Sequence, residues 1–584
     1  MRNTRRRVRY LAIVAVVLAG SMIPAFSQTA APADEVRAGN AGSKEEVSLL
    51  KQQVAEQQKQ IDLLRAAVNA MQQKLGEDVN SPRPASLQAP SLGQVASLVP
   101  MVPAQPAATA SVVPLAVKPS VQNDPSGGQE HSPLSFRIGG ADFTPGGFMD
   151  FTVFGRSTNV GSGIGTSFGA APFSHTTAGS LSETRFSMQN SRVSLGVTST
   201  FKGFDLKGYV EADFLGFTPP NVFVSSNSNS LRSRLYWLDA RKGKFEFLGG
   251  QSWSLLTPNR TGLSPNPPDI FFSQDMDTNY QVGLTWARQA QFRLIYHPSG
   301  TVTAGISIEN PQQLYGNATV PSALVAEGDN GSGSITNSNA ANNPSTPNVA
   351  PDVIAKVALD PMVGSRHEHI EFAGLLTSTR VYDPTAKLHS TAEGGGFAAN
   401  FNFELVKNLH AIVNTFYSDG GGRYIFGLAP NFIIDRDSNG VYHPSLVHAD
   451  SAVAGAEYQV NEHTMFYGYW GGVYIGRNFG IDCFVQPIPA GSPTGTVAVC
   501  NSTPSSTPSY IGYGYPGSSN SQNKNIQEGT FGVIQTFWKS PHYGSLQLIT
   551  QYSYLNRAPW VVASGSPKDA HLSMGYVDMR YTLP

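Results

Sequence analysis

The chain is poor in charge. Lys, Arg, Asp and Glu make up 14% of its 584 residues, against about a quarter in an ordinary soluble domain. The two signs balance to a formal −1, so no basic excess points to nucleic acid as a partner. Cysteine is almost absent: Cys483 and Cys500 are the only two. That excludes a disulfide-scaffold fold and leaves one bond between them, which an exported chain allows. Long apolar runs are missing as well. After residue 30 no stretch of about 18 apolar residues occurs, so a chain in a membrane must cross it as strands. No Ser/His/Asp group has a spacing that supports catalysis. The chain therefore reads as no enzyme, with no cofactor.

What is plentiful is glycine (58), phenylalanine (31) and tyrosine (22), the residues that strands and aromatic girdles use. Arg2, Arg5, Arg6, Arg7 and Arg9, the apolar stretch Leu11–Leu18 and the small residues around Ala25 and Ser27 read as an export signal over residues 1–27. A short leader (28–43) follows. Over residues 44–76 a heptad places Val47, Val54, Ile61, Val68 and Leu75 at a, with Leu50, Gln57, Leu64 and Met71 at d. This predicts an α-helical coiled coil and self-association. β-branched a residues with Leu at d favour dimers, and Gln57 blurs that rule, so the number of strands stays open. Residues 77–135 are a Pro/Ala-rich linker, semi-rigid and extended, expected to lie in the periplasm.

From residue 136 to 584 apolar and polar residues alternate, as strands require. In the last segment Val577, Met579, Tyr581 and Leu583 share one phase, and Tyr576, Asp578, Arg580 and Thr582 the other. The same pattern recurs in Leu206–Phe214, Thr301–Glu309 and Leu546–Tyr554. Short turns fit at Lys202–Asp205, Arg241–Lys244, His297–Gly300, Asp360–Ser365, Val406–Leu409, Val460–His463 and Lys539–Gly544. Long polar stretches lie between, the longest at Pro311–Ala350, Gly420–Asp450 and Gly476–Asn525. Seven tight turns imply eight hairpins. The reading is an all-β transmembrane barrel of about 16 antiparallel strands in a bacterial outer membrane, with both termini on the periplasmic side and lipid around it. Sixteen strands leave an aqueous channel, where eight would be filled by side chains.

The segments Asn190–Val197 (NSRVSLGV), Lys207–Phe214 (KGYVEADF), Leu231–Arg234 (LRSR), Leu248–Ser254 (LGGQSWS) and Arg288–Tyr296 (RQAQFRLIY), in this order and behind a heptad helix, resemble the DcaP-like family of trimeric outer-membrane porins. The resemblance covers the helix and the first half of the barrel and weakens after about residue 310. It implies a homotrimer of three separate pores taking up small organic anions such as dicarboxylates or aromatic acids. The chain departs from the usual pattern at its end, Leu583-Pro584, which lacks a terminal aromatic.

A pore selects by the sign of its lining charges. Alternation turns Arg192, Arg232, Arg234, Arg293 and Arg580 toward the lumen, with Arg185 joining them across a phase flip between Met188 and Val193 that reads as a bulge. Lys207, Glu211 and Asp213 share that face. These arginines either stay free for carboxylates, which they hold bidentately, or pair with the inward acids. The third long connection, Leu255–Ala287, carries Arg260, Asp269, Asp275 and Asp277. It is the candidate for a loop that folds inward and narrows the pore, the alternatives being a surface loop or a short lining ribbon. His367, His369 and Glu371 share a strand face without a third strong metal ligand, and Asp435–Gly440 lacks the acid that a calcium loop needs at its twelfth position. Both read as polar structure, the second as an Asx-type turn, and no metal is expected. The rival readings are a barrel anchor whose coiled coil reaches toward the cell wall, a phosphate-selective type of porin, and a barrel enzyme acting on lipids, for which no serine–histidine pair is found.

Overall fold

The computed structural model describes residues 132–216, 229–263, 265, 274–321, 350–487, 496–500, 503–504 and 509–584. The expected export signal, leader, coiled coil and nearly all of the linker lie outside the described residues, as does Asp269.

Sixteen strands form the wall: β1 Ala141–Arg156, β2 Arg192–Phe201, β3 Phe204–Asp213, β4 Arg232–Lys242, β5 Phe245–Trp253, β6 Arg288–Tyr296, β7 Val302–Glu309, β8 Asp352–Leu359, β9 Arg366–Asp383, β10 Leu388–Val406, β11 Leu409–Asp419, β12 His448–Gln459, β13 Thr464–Ile475, β14 Asn523–Ser540, β15 Gly544–Pro559 and β16 Ala570–Thr582. Each pairs antiparallel with the next. β16 returns to β1 in a register running from Phe148↔Thr582 to Arg156↔Met574, which closes the sheet. Closure leaves no edge strand, the condition for a sheet to sit in hydrocarbon.

Alternation sets the two faces as the sequence pattern requires. Met149, Phe151, Leu195, Leu238, Phe292, Trp470, Phe531 and Met579 are exposed on the outside, while Asp150, Thr152, Glu211, Asp239, Tyr576 and Asp578 are buried inside. All seven expected tight turns lie at one end of the barrel, which also holds both ends of the wall. The first is a two-residue turn at Lys202–Gly203, closed by the Phe201↔Phe204 pair. Both residues have positive φ, 51° and 79°, as a type I′ hairpin demands. The expected phase flip before β2 is also present. A short strand, Glu183–Ser187, continues β2 alongside β1 and is separated from it by a turn in which Ser191 N–H donates to Met188 O at 3.1 Å.

Two features depart from the sequence reading. The connection between β9 and β10 is tight although it lies at the long-loop end. Asp383 accepts from the N–H groups of Thr385 and Ala386 at 2.8 and 2.9 Å, an Asx-type turn that lets these two strands run 18 and 19 residues. Second, the interior is not simply a water-lined wall. Ile164, Phe168, Leu255, Leu256, Met276, Leu284, Trp286 and Ile425, all from long connections, are buried with the inward strand residues Tyr209, Trp237 and Leu248. Those connections are apolar enough to fold inward, since each such side chain gains about 1.5–3 kcal/mol by leaving water.

At the long-loop end, short strands Cys483–Pro487 and Thr496–Cys500 pair antiparallel, with Cys483 directly opposite Cys500. Opposed residues in such a pair have Cα atoms about 4.5–5.5 Å apart, inside the range a disulfide spans. We propose that the two close a disulfide, worth roughly 3 kcal/mol through a loop of this length. Peptide mass spectrometry of unreduced protein should show the linked pair; two thiols that alkylate without reductant would refute the bond. Removing it should leave the barrel folded.

Candidate functional site

The third long connection, between Trp253 and Arg288, crosses the barrel. Its first part is held by wall residues on both sides. Arg293 on β6 donates to Trp253 O at 2.5 Å and Leu263 O at 3.3 Å. Lys356 on β8 donates to Thr257 O at 2.8 Å and pairs with Glu371 on β9 at 2.6 Å. Glu371 also accepts from Asn259 N–H at 3.1 Å. Asp360 accepts from Thr261 Oγ1 at 3.2 Å and from Gly262 N–H. Arg260 reaches Glu457 on β12 and holds it bidentately at 2.7 and 2.8 Å. β5 and β12 stand seven strands apart in a ring of sixteen, so this contact is made on the far wall.

The second part runs against β11, β12 and β14 to β16. Met276 N–H and the Asp275 carboxylate engage Gln551 on β15, each at 2.7 Å. Asp277 accepts from Tyr576 on β16 at 3.0 Å and from Thr166 N–H at 3.0 Å. Val282 N–H donates to Glu528 on β14 at 3.0 Å, and Thr285 N–H to Asn414 on β11 at 2.9 Å. At Gly283, with φ of 91°, a Cβ would lie 2.5 Å from Ala452 O. Only glycine lets the backbone lie this close to β12. Trp286 N–H then donates to Tyr424 O at 2.8 Å, tying this connection to the one after β11.

The inward arginines gather on the opposite side. Arg234 pairs with Glu211 at 2.6 Å and Asp213 at 2.8 Å. Arg232 pairs with Asp213 at 2.7 Å, and Arg192 with Glu211 at a longer 3.8 Å. Arg234 and Arg288 each lie 5.8 Å from the centre of the Trp253 ring, which packs edge-on against Tyr280 and Trp286. Arg234 also donates to Tyr280 Oη at 3.3 Å. Among the described residues Arg288 has no carboxylate partner, and one of its terminal nitrogens is buried without a hydrogen bond. Four arginines thus surround two carboxylates, a surplus of two positive charges beside an aromatic wall. The two described acids of the crossing connection, Asp275 and Asp277, are seated elsewhere, on β15 and β16.

The other expected residues have assigned places. Arg580 pairs with Asp150 at 2.8 Å. Arg185 pairs with Glu183 at 2.8 Å and stays half-exposed. Lys207 stands opposite Asp239 in the β3–β4 register. Arg293 is taken up by the backbone carbonyls of the crossing connection and one glutamine, not by solute-facing space. His369 lies between Asp360 at 2.6 Å and Glu371 at 3.1 Å, so this cluster is a structural network under the crossing segment. Asp437 accepts from the N–H groups of Asn439 and Val441 at 2.8 and 2.9 Å, the expected Asx turn; these bonds hold its carboxyl below the usual range.

Sequence reasoning missed Arg156, Arg288, Lys356, Glu457 and Glu528. Lys356 and Glu528 stand in phase with the inward Ile354 and Ile526, so the alternation test would have found both. Arg156 donates to Gly163 O at 2.8 Å and pairs with Glu183 at 3.1 Å, clamping the first long connection.

Asp275 lies on the connection, not on a strand. Burial, and then the neighbouring Asp277, push its carboxyl up to about 7. A raised carboxyl is neutral well below that value and charges as pH rises through it, so seating this loop becomes less favourable with rising pH. Current through the barrel should therefore be noisier at pH 8.5 than at pH 5.5. Asp275→Asn should remove that difference; a variant that keeps it would clear Asp275 of the effect. Arg260→Ala strands a buried carboxylate, a penalty of about 3–5 kcal/mol. It should raise conductance and current noise, and unchanged traces would show that the connection stays seated without this pair.

No family model matches the chain, and no curated relative does. Solved structures do. The outer membrane channel DcaP of Acinetobacter baumannii shares 16% identity, over 77% of this chain and 99% of that one, with a TM-score of 0.52. The anion-selective porin from Comamonas acidovorans shares 10%, over 76% and 99%, with a TM-score of 0.42. OprB of Pseudomonas putida shares 10%, over 76% and 94%, with a TM-score of 0.39. The likeness to the first is one of fold: this chain has the architecture of an outer-membrane channel.

Proposed function

We propose that the protein is a passive diffusion channel of a bacterial outer membrane that prefers small organic anions, dicarboxylates among them. The observation that carries this reading is the surplus of arginines over acids around Trp253. A guanidinium with spare donors binds a planar carboxylate in two places, and Arg288 has no carboxylate partner among the described residues and keeps a buried terminal nitrogen that no protein group takes up. Asp275 and Asp277 sit on β15 and β16, off those arginines, and once ionised they would add a field between the two groups in which a dipolar solute orients as it passes. The channel named DcaP in Acinetobacter baumannii has the same fold. We further propose a homotrimer, held by the Val47–Leu75 heptad on the periplasmic side; deletion of residues 28–80 should weaken assembly, and a monomeric native mass for the full chain would refute it.

The filled interior supports a second reading, a barrel anchor whose coiled coil reaches toward the cell wall. Planar-bilayer recording separates the two. The channel reading expects stepwise conductance and a reversal potential of anion-preferring sign in a salt gradient. Replacing Arg232, Arg234 or Arg288 with alanine should shift that potential toward cations, Arg288 without removing an ion pair. A protein that inserts and passes no current would favour the anchor.

A further inference from the structure

At the long-loop end of β13, β14 and β15 a second group of cations surrounds an indole at the barrel rim, which packs on the buried interior cluster on one side and on the outward Tyr474 on the other. Arg477, just beyond β13, lies 4.9 Å from the centre of the Trp560 ring, and Lys524 lies 5.2 Å from it. Lys524 is the extra residue of a bulge, since the β14–β15 register jumps between Asn523 and Asn525. The bulge frees its side chain from the strand's alternation. Both cations are exposed. Two acids of the neighbouring loops are engaged elsewhere: Asp482 with Arg436 at 2.8 Å, and Asp569 with His571 at 3.2 Å.

The indole is fixed in place. Trp560 Nε1–H donates to Ile475 O at 3.1 Å, and its backbone N–H to Gln522 O at 3.0 Å. Gly514 backs the ring so closely that a Cβ there would stand 2.7 Å from Trp560 Cδ1. Gly514 O accepts from Arg477 Nε at 2.8 Å, which orients the guanidinium and leaves its terminal nitrogens for a ligand. Below the ring stands Tyr474, in edge contact at 6.2 Å. Tyr474, Tyr552 and Tyr554 are exposed on the same outer face. Aromatic side chains of this kind mark the level where hydrocarbon meets headgroups.

We propose that Arg477, Lys524 and Trp560 form a binding site for the phosphate of a glycolipid headgroup in the outer leaflet. The inference rests on the outer-membrane reading, with the long loops facing outward. Two exposed cations at headgroup level offer charge-assisted hydrogen bonds to a phosphate, and the indole offers an apolar face for the sugar ring that carries it. A free anion would use the cations alone. A lipid uses all three residues and the tyrosines beneath.

The test is binding of the full chain in mixed micelles to a diphosphorylated disaccharide lipid (lipid A), to the same lipid with its phosphates removed, and to inorganic phosphate. Wild type should prefer the phosphorylated lipid by about tenfold or more, and Arg477→Gln and Lys524→Gln should each lose roughly tenfold, the effect of one charge-assisted hydrogen bond. Gly514→Ala, which crowds the indole and the Arg477 stem beside it, should weaken lipid binding with both charges retained. Lys407→Gln, at the tight-turn end, should change nothing. Equal affinity for the two lipids, no loss in the double Arg477→Gln/Lys524→Gln variant, or inorganic phosphate binding as tightly as the lipid would each overturn the site. Conductance in phosphatidylcholine bilayers is scored separately. A protein that conducts yet ignores the phosphate refutes the site alone, and one that does not enter bilayers refutes the reading beneath it.

Discussion

Every other feature of this molecule depends on the return of β16 to β1. A sheet in hydrocarbon has no water to satisfy its edge groups, and each unsatisfied one costs several kcal/mol. The register from Phe148↔Thr582 to Arg156↔Met574 removes both edges at once. It also brings Asp150, from the first strand, to Arg580, from the last, and lets Thr152 donate to both Asp150 and Asp578. The seam is therefore closed by backbone on the wall and by charge inside. With sixteen strands the enclosed space is wide enough for chain to enter it, which a smaller barrel would not allow.

That space is polar on its wall, and the connections that enter must answer each wall charge. Glu457 meets Arg260, Glu371 meets Asn259 N–H, and Glu528 meets Val282 N–H. A buried charge without a partner is expensive, so the inward acids act as docking points that decide where the crossing segment runs. The apolar residues of the same segment, Leu255, Leu256, Met276 and Leu284, then cover the neutral parts of the wall. Seating is thus electrostatic in register and hydrophobic in strength.

The wall was legible in the sequence because a period of two leaves a trace wherever one face meets lipid. The tight turns showed for the same reason, as breaks in that period with Gly or Asn at positions of positive φ such as Gly203 and Asn408. Arg192, Arg232, Arg234 and Arg580 were placed inward by alternation alone. What alternation could not give was partnership. Arg260 and Glu457 are 197 positions apart, and nothing local in either segment names the other. The inward fold of the third connection was readable as a candidate from its place in the order of loops, while its path along β11 to β16 depends on contacts such as Gly283 against Ala452, which exist only once the barrel has closed. Trp253 was hidden for a related reason. Its phase on β5 is that of Phe247 and Gln251, which face outward, yet its ring packs with Tyr280 and Trp286 because the crossing segment begins there.

The separation of charge inside the barrel follows from this docking. Asp275 is engaged by Gln551 on β15 and Asp277 by Tyr576 on β16, with Arg156 of β1 beside Asp277, and neither acid pairs with the arginines around Trp253. Had the crossing segment run along β2 to β4 instead, its acids would have paired with Arg192, Arg232 and Arg234, and no positive surplus would remain. The route is set by Glu457 and Glu528, two acids far from the arginines in both sequence and space. The electrostatic character of one wall is thus determined by docking groups on the other. The proposed anion preference would be lost by moving the segment even if every arginine stayed in place.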